Sequence, residues 1–190
     1  MTGCRKSIRR DRTGGFSLVE LLVALGVITI LIGILIPVIS RAQQASRSVS
    51  CISTLRSIGQ SFHLYAQENK SMLPDPGAVG LSWEQMLQPY FRAEYRCPSD
   101  EEVYPSVGSS YDWRDTPDAS TTLAGAPIAS VKRANLVLAF EALSGWHFKG
   151  KMNVVLFDGS ATTMMENDAL ADLDAPIDPS LPPGFKRRAR

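Results

Sequence analysis

From Phe16 to Ile39 the chain is apolar on every side, with no polar stripe and one charge, Glu20. A helix over this stretch, rising about 1.5 Å per residue, would span roughly 36 Å, enough to cross a bilayer. A core helix of a soluble protein normally keeps a polar face, and this segment has none. After Ser40 the pattern changes: Val49, Ile52, Leu55, Ile58, Phe62 and Tyr65 recur every three or four residues, which marks one face of an amphipathic helix. That helix runs to about Lys70, where Met72-Leu73-Pro74-Asp75-Pro76-Gly77 stops it. The rest of the chain must cover the stripe.

The remainder is loop-rich. A short helix is expected over Ser82 to Phe91, capped by Ser82, with Trp83, Met86, Leu87 and Tyr90 as its apolar face and Pro89 limiting its length. Cys97-Pro98-Ser99-Asp100 reads as a turn, and Ser106 to Thr122 shows no period from which to assign an element. Asn135 to Phe140 and Asn153 to Phe157 are compact apolar runs that suit buried strands. Asp158-Gly159 then separates the second run from Ser160 to Met164, which predicts a two-residue hairpin because glycine tolerates the positive φ such turns require. The fold class is therefore α+β, with an antiparallel sheet of three or more strands against the long helix. The organisation expected is a leader (1–15), a transmembrane helix (16–39), its amphipathic continuation (40–70), an exported globular domain (71–175) and a disordered basic tail (176–190).

Charge gives the helix a direction. Arg5, Lys6, Arg9, Arg10 and Arg12 face a single Asp11, an excess that stays on the cytoplasmic side of a membrane, so the carboxy-terminal domain would be exported. Removing such a leader lowers the formal charge by four, from +1 to −3, and leaves no footprint for nucleic acid. Lys186, Arg187, Arg188 and Arg190 follow Pro179, Pro182 and Pro183 and read as a disordered end. A secretory signal cut after Ser40 or Ala42 would have too long an apolar region. An uncut anchor explains the hydrophobicity but gives Glu20 and Gly14-Gly15 no role.

The stretch Gly15-Phe16-Ser17-Leu18-Val19-Glu20 resembles the cleavage and methylation site of type IV prepilins and type II secretion pseudopilins. The resemblance implies a pilin-like fold, a cut by a membrane prepilin peptidase between Gly15 and Phe16, and N-methylation of Phe16. It also implies that Glu20 pairs with the terminal amine of a neighbouring subunit during assembly. The residues are compatible with that logic, since a lone intramembrane carboxylate is costly and should be either paired or exposed to solvent at the interface. Pro37 removes a backbone donor late in the apolar run and should kink the helix; pilins carry a proline at the same distance from the cut. A second set of motifs resembles a pseudopilin-like bacterial group with a carboxy-terminal His-x9-Asp-Gly motif. It comprises Cys51-x-x-x-Leu55-Arg56-x-Ile58-Gly59, Tyr65, Trp83, Leu87-x-Pro89-Tyr90, Cys97-Pro98-Ser99-Asp100, and His147 before Phe157-Asp158-Gly159. Here ten residues, not nine, separate His147 from Asp158.

Candidate chemistry is sparse. Cys4 would leave with the leader, and Cys51 and Cys97 remain in the compartment to which the domain is exported. They could form a disulfide worth about 2 to 4 kcal/mol, or stay as two buried thiols. His147, Asp158 and Glu141 invite a catalytic or metal reading, but Asp158 is explained by its turn, Trp146 and His147 could cover a sheet edge, and His63 lies far along the chain. No nucleophile motif, phosphate loop or Cys-His metal spacing is present, so no catalytic residue and no metal ligand is expected. Calcium is conceivable, since the major pseudopilins resembled here bind it, and Asp112, Asp115, Asp118, Asp168, Asp172 and Asp174 supply carboxylates, but not at EF-hand spacing. No other cofactor is implied. The reading is a non-enzymatic pseudopilin in the inner membrane, single-pass, amino terminus cytoplasmic and carboxy-terminal domain periplasmic or extracellular. Its partners would be the prepilin peptidase and itself or other pseudopilins through the apolar helix, and type II secretion the favoured role. The alternative is a membrane-tethered binding module that never polymerises.

Overall fold

The computed structural model describes residues 16–180; Gly15, the basic leader and the tail from residue 181 lie outside the described residues. The chain divides into two compact units, Met1–Ala42 and Gln43–Arg190, and one helix, α1 (Leu18–Glu68), contributes to both. In the first unit the large apolar side chains from Phe16 to Ile39 are all exposed. The hydroxyls among them are satisfied within the helix, Thr29 Oγ1 donating to Leu25 O at 2.8 Å and Ser40 Oγ to Ile36 O at 3.1 Å. Pro37 sits inside α1 and, having no N–H, leaves the Gly33 carbonyl without its helical donor.

In the second unit α1 buries Ser48, Cys51, Leu55, Ile58, Phe62 and Ala66, a face recurring every three or four residues. The stripe expected from sequence began one residue too late: Val49 is 66% exposed, and the small residues Ser48 and Cys51 take the inner face instead. The helix ends at Glu68, where Lys70 and Ser71 turn the chain with positive φ. Two short helices follow, α2 (Pro76–Val79) and α3 (Trp83–Leu87). The latter stops four residues before the expected Phe91, and a capping box closes its start: Ser82 Oγ accepts from the Gln85 N–H and Gln85 Oε1 from the Ser82 N–H. A further turn of helix is α4 (Val103–Val107).

The sheet has four strands in chain order, β1 (Tyr111–Trp113), β2 (Val137–Glu141), β3 (Lys151–Leu156) and β4 (Ala161–Met165), each antiparallel to the next. β1 lies in the Ser106 to Thr122 stretch whose sequence shows no period; three residues are too few to display one. The β3–β4 connection is not a two-residue turn. Leu156 N donates to Ser160 O and Gly159 N to Leu156 O, so Phe157, Asp158 and Gly159 form a three-residue loop with Gly159 at φ +84°. The last element, α5 (Glu166–Leu173), was not expected from sequence; Ala169 and Leu173 pack on Val137, Met152 and Val154.

The sheet is thus covered on both faces. One face meets α1, through Leu138, Ala139 and Val155 against Leu55, Ile58 and Phe62, and the other meets α5. An irregularity between Val137 and Ala139 places the adjacent Leu138 and Ala139 in the same cluster. Gly59 sets the helix–sheet distance: a Cβ there would lie 2.7 Å from Val155 Cγ2. Phe62 stacks on Trp113 with ring centroids 4.9 Å apart. The packed chain continues beyond residue 175, where the disordered tail was expected to begin: Ile177 is fully buried, its N–H donating to Ser120 O and its carbonyl accepting from Lys132 N–H.

Candidate functional site

Two places carry the candidate residues. The first is the start of α1. Phe16 is 80% exposed two residues before α1 begins, and Glu20 is exposed in the first helical turn. A carboxylate in a first turn also faces the positive end of the helix dipole. Beyond it the apolar surface continues, exposed among the described residues, to Ile39.

The second is buried in the unit Gln43–Arg190. Cys51 on α1 and Cys97 in the turn after α3 are joined by a disulfide with Cα atoms 5.5 Å apart. His147, in the loop between β2 and β3, lies against it: Nε2 is 3.3 Å from Cys97 Sγ and 3.1 Å from Glu141 Oε1, and Nδ1 is 3.3 Å from Ser99 Oγ. Glu141, the last residue of β2, is 1% exposed and His147 2%. The Glu141 oxygens accept from the Asn153 backbone N–H and from Asn153 Nδ2, each at 2.9 Å. Nδ2 also donates to Ser48 Oγ at 3.2 Å, which ties the carboxylate to α1. Ser110 Oγ holds the Cys97 turn by accepting from the Cys97 N–H at 2.9 Å while donating to Asp100 at 2.6 Å.

The structure separates the residues of the carboxy-terminal motif. His147 precedes β3 and is buried, not a cover for a sheet edge, whereas Asp158 and Gly159 form the loop after β3. Asp158 accepts from the Ser160 hydroxyl and N–H at 2.6 and 2.8 Å, and these bonds, with His63 nearby, hold its carboxyl below the usual range. His63 is not remote from that turn: its Nε2 lies 2.7 Å from Phe157 O.

Residues 10–36 match the family described as the prokaryotic N-terminal methylation motif. The chain carries a prepilin-type N-terminal segment. Together with the long apolar helix and the four-stranded antiparallel sheet, this makes the architecture pilin-like. The match does not reach His147, Asp158 or Gly159. Neither a curated protein nor a solved structure matches the chain.

Three of the aspartates considered for calcium have protein partners. Asp172 pairs with Arg114 at 3.0 Å and with Arg133, and accepts from the Val137 N–H at 2.8 Å. Asp112 accepts from the Trp113 N–H, and Asp118 from the Ser120 N–H and hydroxyl. Among the described residues the one gathering of three or more potential metal-ligating side chains is Cys51, Cys97, Glu141 and His147, whose donor atoms all lie within 4.8 Å of one another. Arg114, which sequence reasoning passed over, is fully buried. Its Nε donates to Thr121 O at 2.6 Å and its Nη2 to Asp172 O at 2.7 Å and to Ala175 O, fastening the end of α5 to the sheet. Burial lowers its pKa to about 10 against the pull of Asp172.

Proposed function

We propose that this chain is a pseudopilin, made as a prepilin, cut between Gly15 and Phe16, N-methylated on Phe16, and held in the inner membrane by residues 16–39 until it joins a filament. The carrying observation is the combination at the start of α1: a methylation-motif match over residues 10–36 and an unbroken exposed apolar surface interrupted only by Glu20. A carboxylate inside the hydrocarbon costs about 2.5 to 3.5 kcal/mol on insertion scales, which a neighbour's terminal amine would offset. Pro37 would loosen the helix where neighbouring subunits pack. The exported unit serves as the pilin head, on the periplasmic or outer face set by the basic leader. Its role is mechanical, without catalysis. His147 and Glu141 are both buried, an arrangement that suits scaffolding rather than turnover. Type II secretion is the favoured filament system.

Sequencing the amino terminus of the membrane-extracted protein tests the first step. A methylated Phe16 is expected; a chain beginning at Met1 or at Gln43 sinks the reading. Glu20→Ala tests the second: membrane insertion should persist while incorporation into filaments is lost. Unchanged incorporation would remove Glu20 from assembly, and a wild-type chain that never forms filaments would be a tethered binding module instead.

A further inference from the structure

A disulfide needs only its two cysteines and an apolar setting, yet Cys51 and Cys97 share their pocket with a buried imidazole and a buried carboxylate. Neither polar group helps a crosslink, and burying a carboxylate costs several kcal/mol unless it is compensated. The four side chains come from separate segments of the chain: α1, the Cys97 turn, the end of β2 and the β2–β3 loop. They offer two sulfurs, one nitrogen and one oxygen, the donor classes that zinc takes in closed four-coordinate sites.

We propose that, when Cys51 and Cys97 are reduced, this cluster holds one zinc-class divalent ion, so that the disulfide and the metal are alternative occupants of one buried site. Two of the ligand distances already suit it, and reduction frees the bonded sulfurs to part to the roughly 3.8 Å that two thiolates on one ion require. Nε2 of His147 is 3.3 Å from Cys97 Sγ and 3.1 Å from Glu141 Oε1, close to the edges of roughly 3.3 to 3.6 Å in a tetrahedron built on ordinary zinc–ligand bonds. The outer ring is also in place. Nδ1 of His147 faces Ser99 Oγ, which leaves Nε2 to coordinate, and Asn153 holds the Glu141 carboxylate by two hydrogen bonds. Such partners orient metal ligands and fix the imidazole tautomer.

The exchange balances. The ion displaces two protons from the two thiols and binds two thiolates, the imidazole nitrogen and one carboxylate oxygen. Oxidation reverses this through thiol–disulfide exchange. A small-molecule or protein disulfide takes two electrons from the two thiolates and leaves, with two protons, as two thiols, while the Cys51–Cys97 bond forms and the ion departs. The compartment's redox state then selects which of the two fastens α1 to the Cys97 turn.

The test uses the full-length chain in detergent, reduced with a phosphine, equilibrated with zinc and freed of excess metal. Elemental analysis should find about one zinc per chain in the reduced protein and less than a tenth of that in the oxidised protein. Cobalt in place of zinc should show the intense visible bands of a tetrahedral site and a thiolate charge-transfer band. His147→Ala and Glu141→Gln should each weaken binding at least tenfold, and the Cys51→Ser, Cys97→Ser double variant should abolish it. If the reduced protein stays folded by circular dichroism and takes up no metal, the proposal fails. It fails equally if both single variants bind as the parent does. Should reduction unfold the exported unit, zinc must restore it, and unfolding that zinc does not reverse is a negative result.

Discussion

Two stretches of the same helix use apolar residues in opposite ways. From Phe16 to Ile39 the side chains are apolar all round and stay exposed, whereas from Ser48 to Ala66 only one face is apolar and that face is buried by the chain's own sheet. Burying a leucine or phenylalanine contributes about 1.5 to 3 kcal/mol, so the second stretch gains its stabilisation within the protein. The first stays uncovered by the described residues, and under the proposed function it draws on lipid or on the helices of other subunits. A striped helix therefore belongs to the fold, and a uniformly apolar one belongs to its surroundings.

Substitutions that empty the striped face should break this contrast most severely if it is wrong. Phe62→Ala removes a ring stacked on Trp113 and Trp83 and should cost the sheet-bearing unit about 4 kcal/mol in urea unfolding. Leu25→Ala, in the uniform stretch, should leave the same transition within about 0.5 kcal/mol. A Leu25→Ala loss comparable to that of Phe62→Ala would mean that the apolar stretch stabilises the domain after all. Arg114→Ala follows, at about 3 kcal/mol. It leaves Asp172 with Arg133 and the Val137 N–H and strips Thr121 O and Ala175 O of the Arg114 donors, and the unfolding midpoint should report it.

The order in which these features became legible has physical causes. The apolar run, the amphipathic stripe and the β2, β3 and β4 segments are local patterns, readable because periodicity and turn chemistry act over a few residues. Val49 misled because an exposed valine costs little, while Ser48 and Cys51 fit the closer approach. α5 escaped because only Ala169 and Leu173 are buried in an eight-residue helix, too few to mark a face. The cluster at residues 51, 97, 141 and 147 has no characteristic spacing, since the fold rather than the chain brings its members together. Arg114 gave no signal of its own, its five donors being matched by carbonyls and a carboxylate from distant segments.

A smaller effect sharpens how closely the striped half sits on its sheet. Gly59→Ala should gain up to about 1 kcal/mol of helix propensity, yet its methyl meets Val155 Cγ2 at 2.7 Å, and overpacking typically costs about 1 to 3 kcal/mol. A net loss of about 1 kcal/mol is expected in the urea midpoint. Combining it with Val155→Ala should remove most of the clash component. If Gly59→Ala is as stable as the parent, the close approach of α1 to β3 does not constrain the sequence.

The smallest effect contrasts two acids. Glu20 stands exposed in the first turn of α1, while Asp100 is enclosed by donors: the Ser110 hydroxyl and the N–H groups of Val103, Tyr104 and Glu102 donate at 2.6, 2.8, 2.8 and 3.0 Å. Burial alone would raise the Asp100 carboxyl, but these donors outweigh it and hold it below the usual range. A carboxyl depressed in the folded state contributes stability above its unfolded pKa, about 3.9, and that contribution is lost as pH falls through the folded value. Asp100→Asn should therefore lower stability by about 1 kcal/mol at neutral pH. The deficit should shrink below about pH 4 as the parent protein takes up its proton. Urea midpoints of both proteins across that range measure it. A deficit constant with pH would show that the charge of Asp100 does not hold the Cys97 turn, and the enclosed acid of the domain would then no longer stand as the counterpart of the exposed one in the helix.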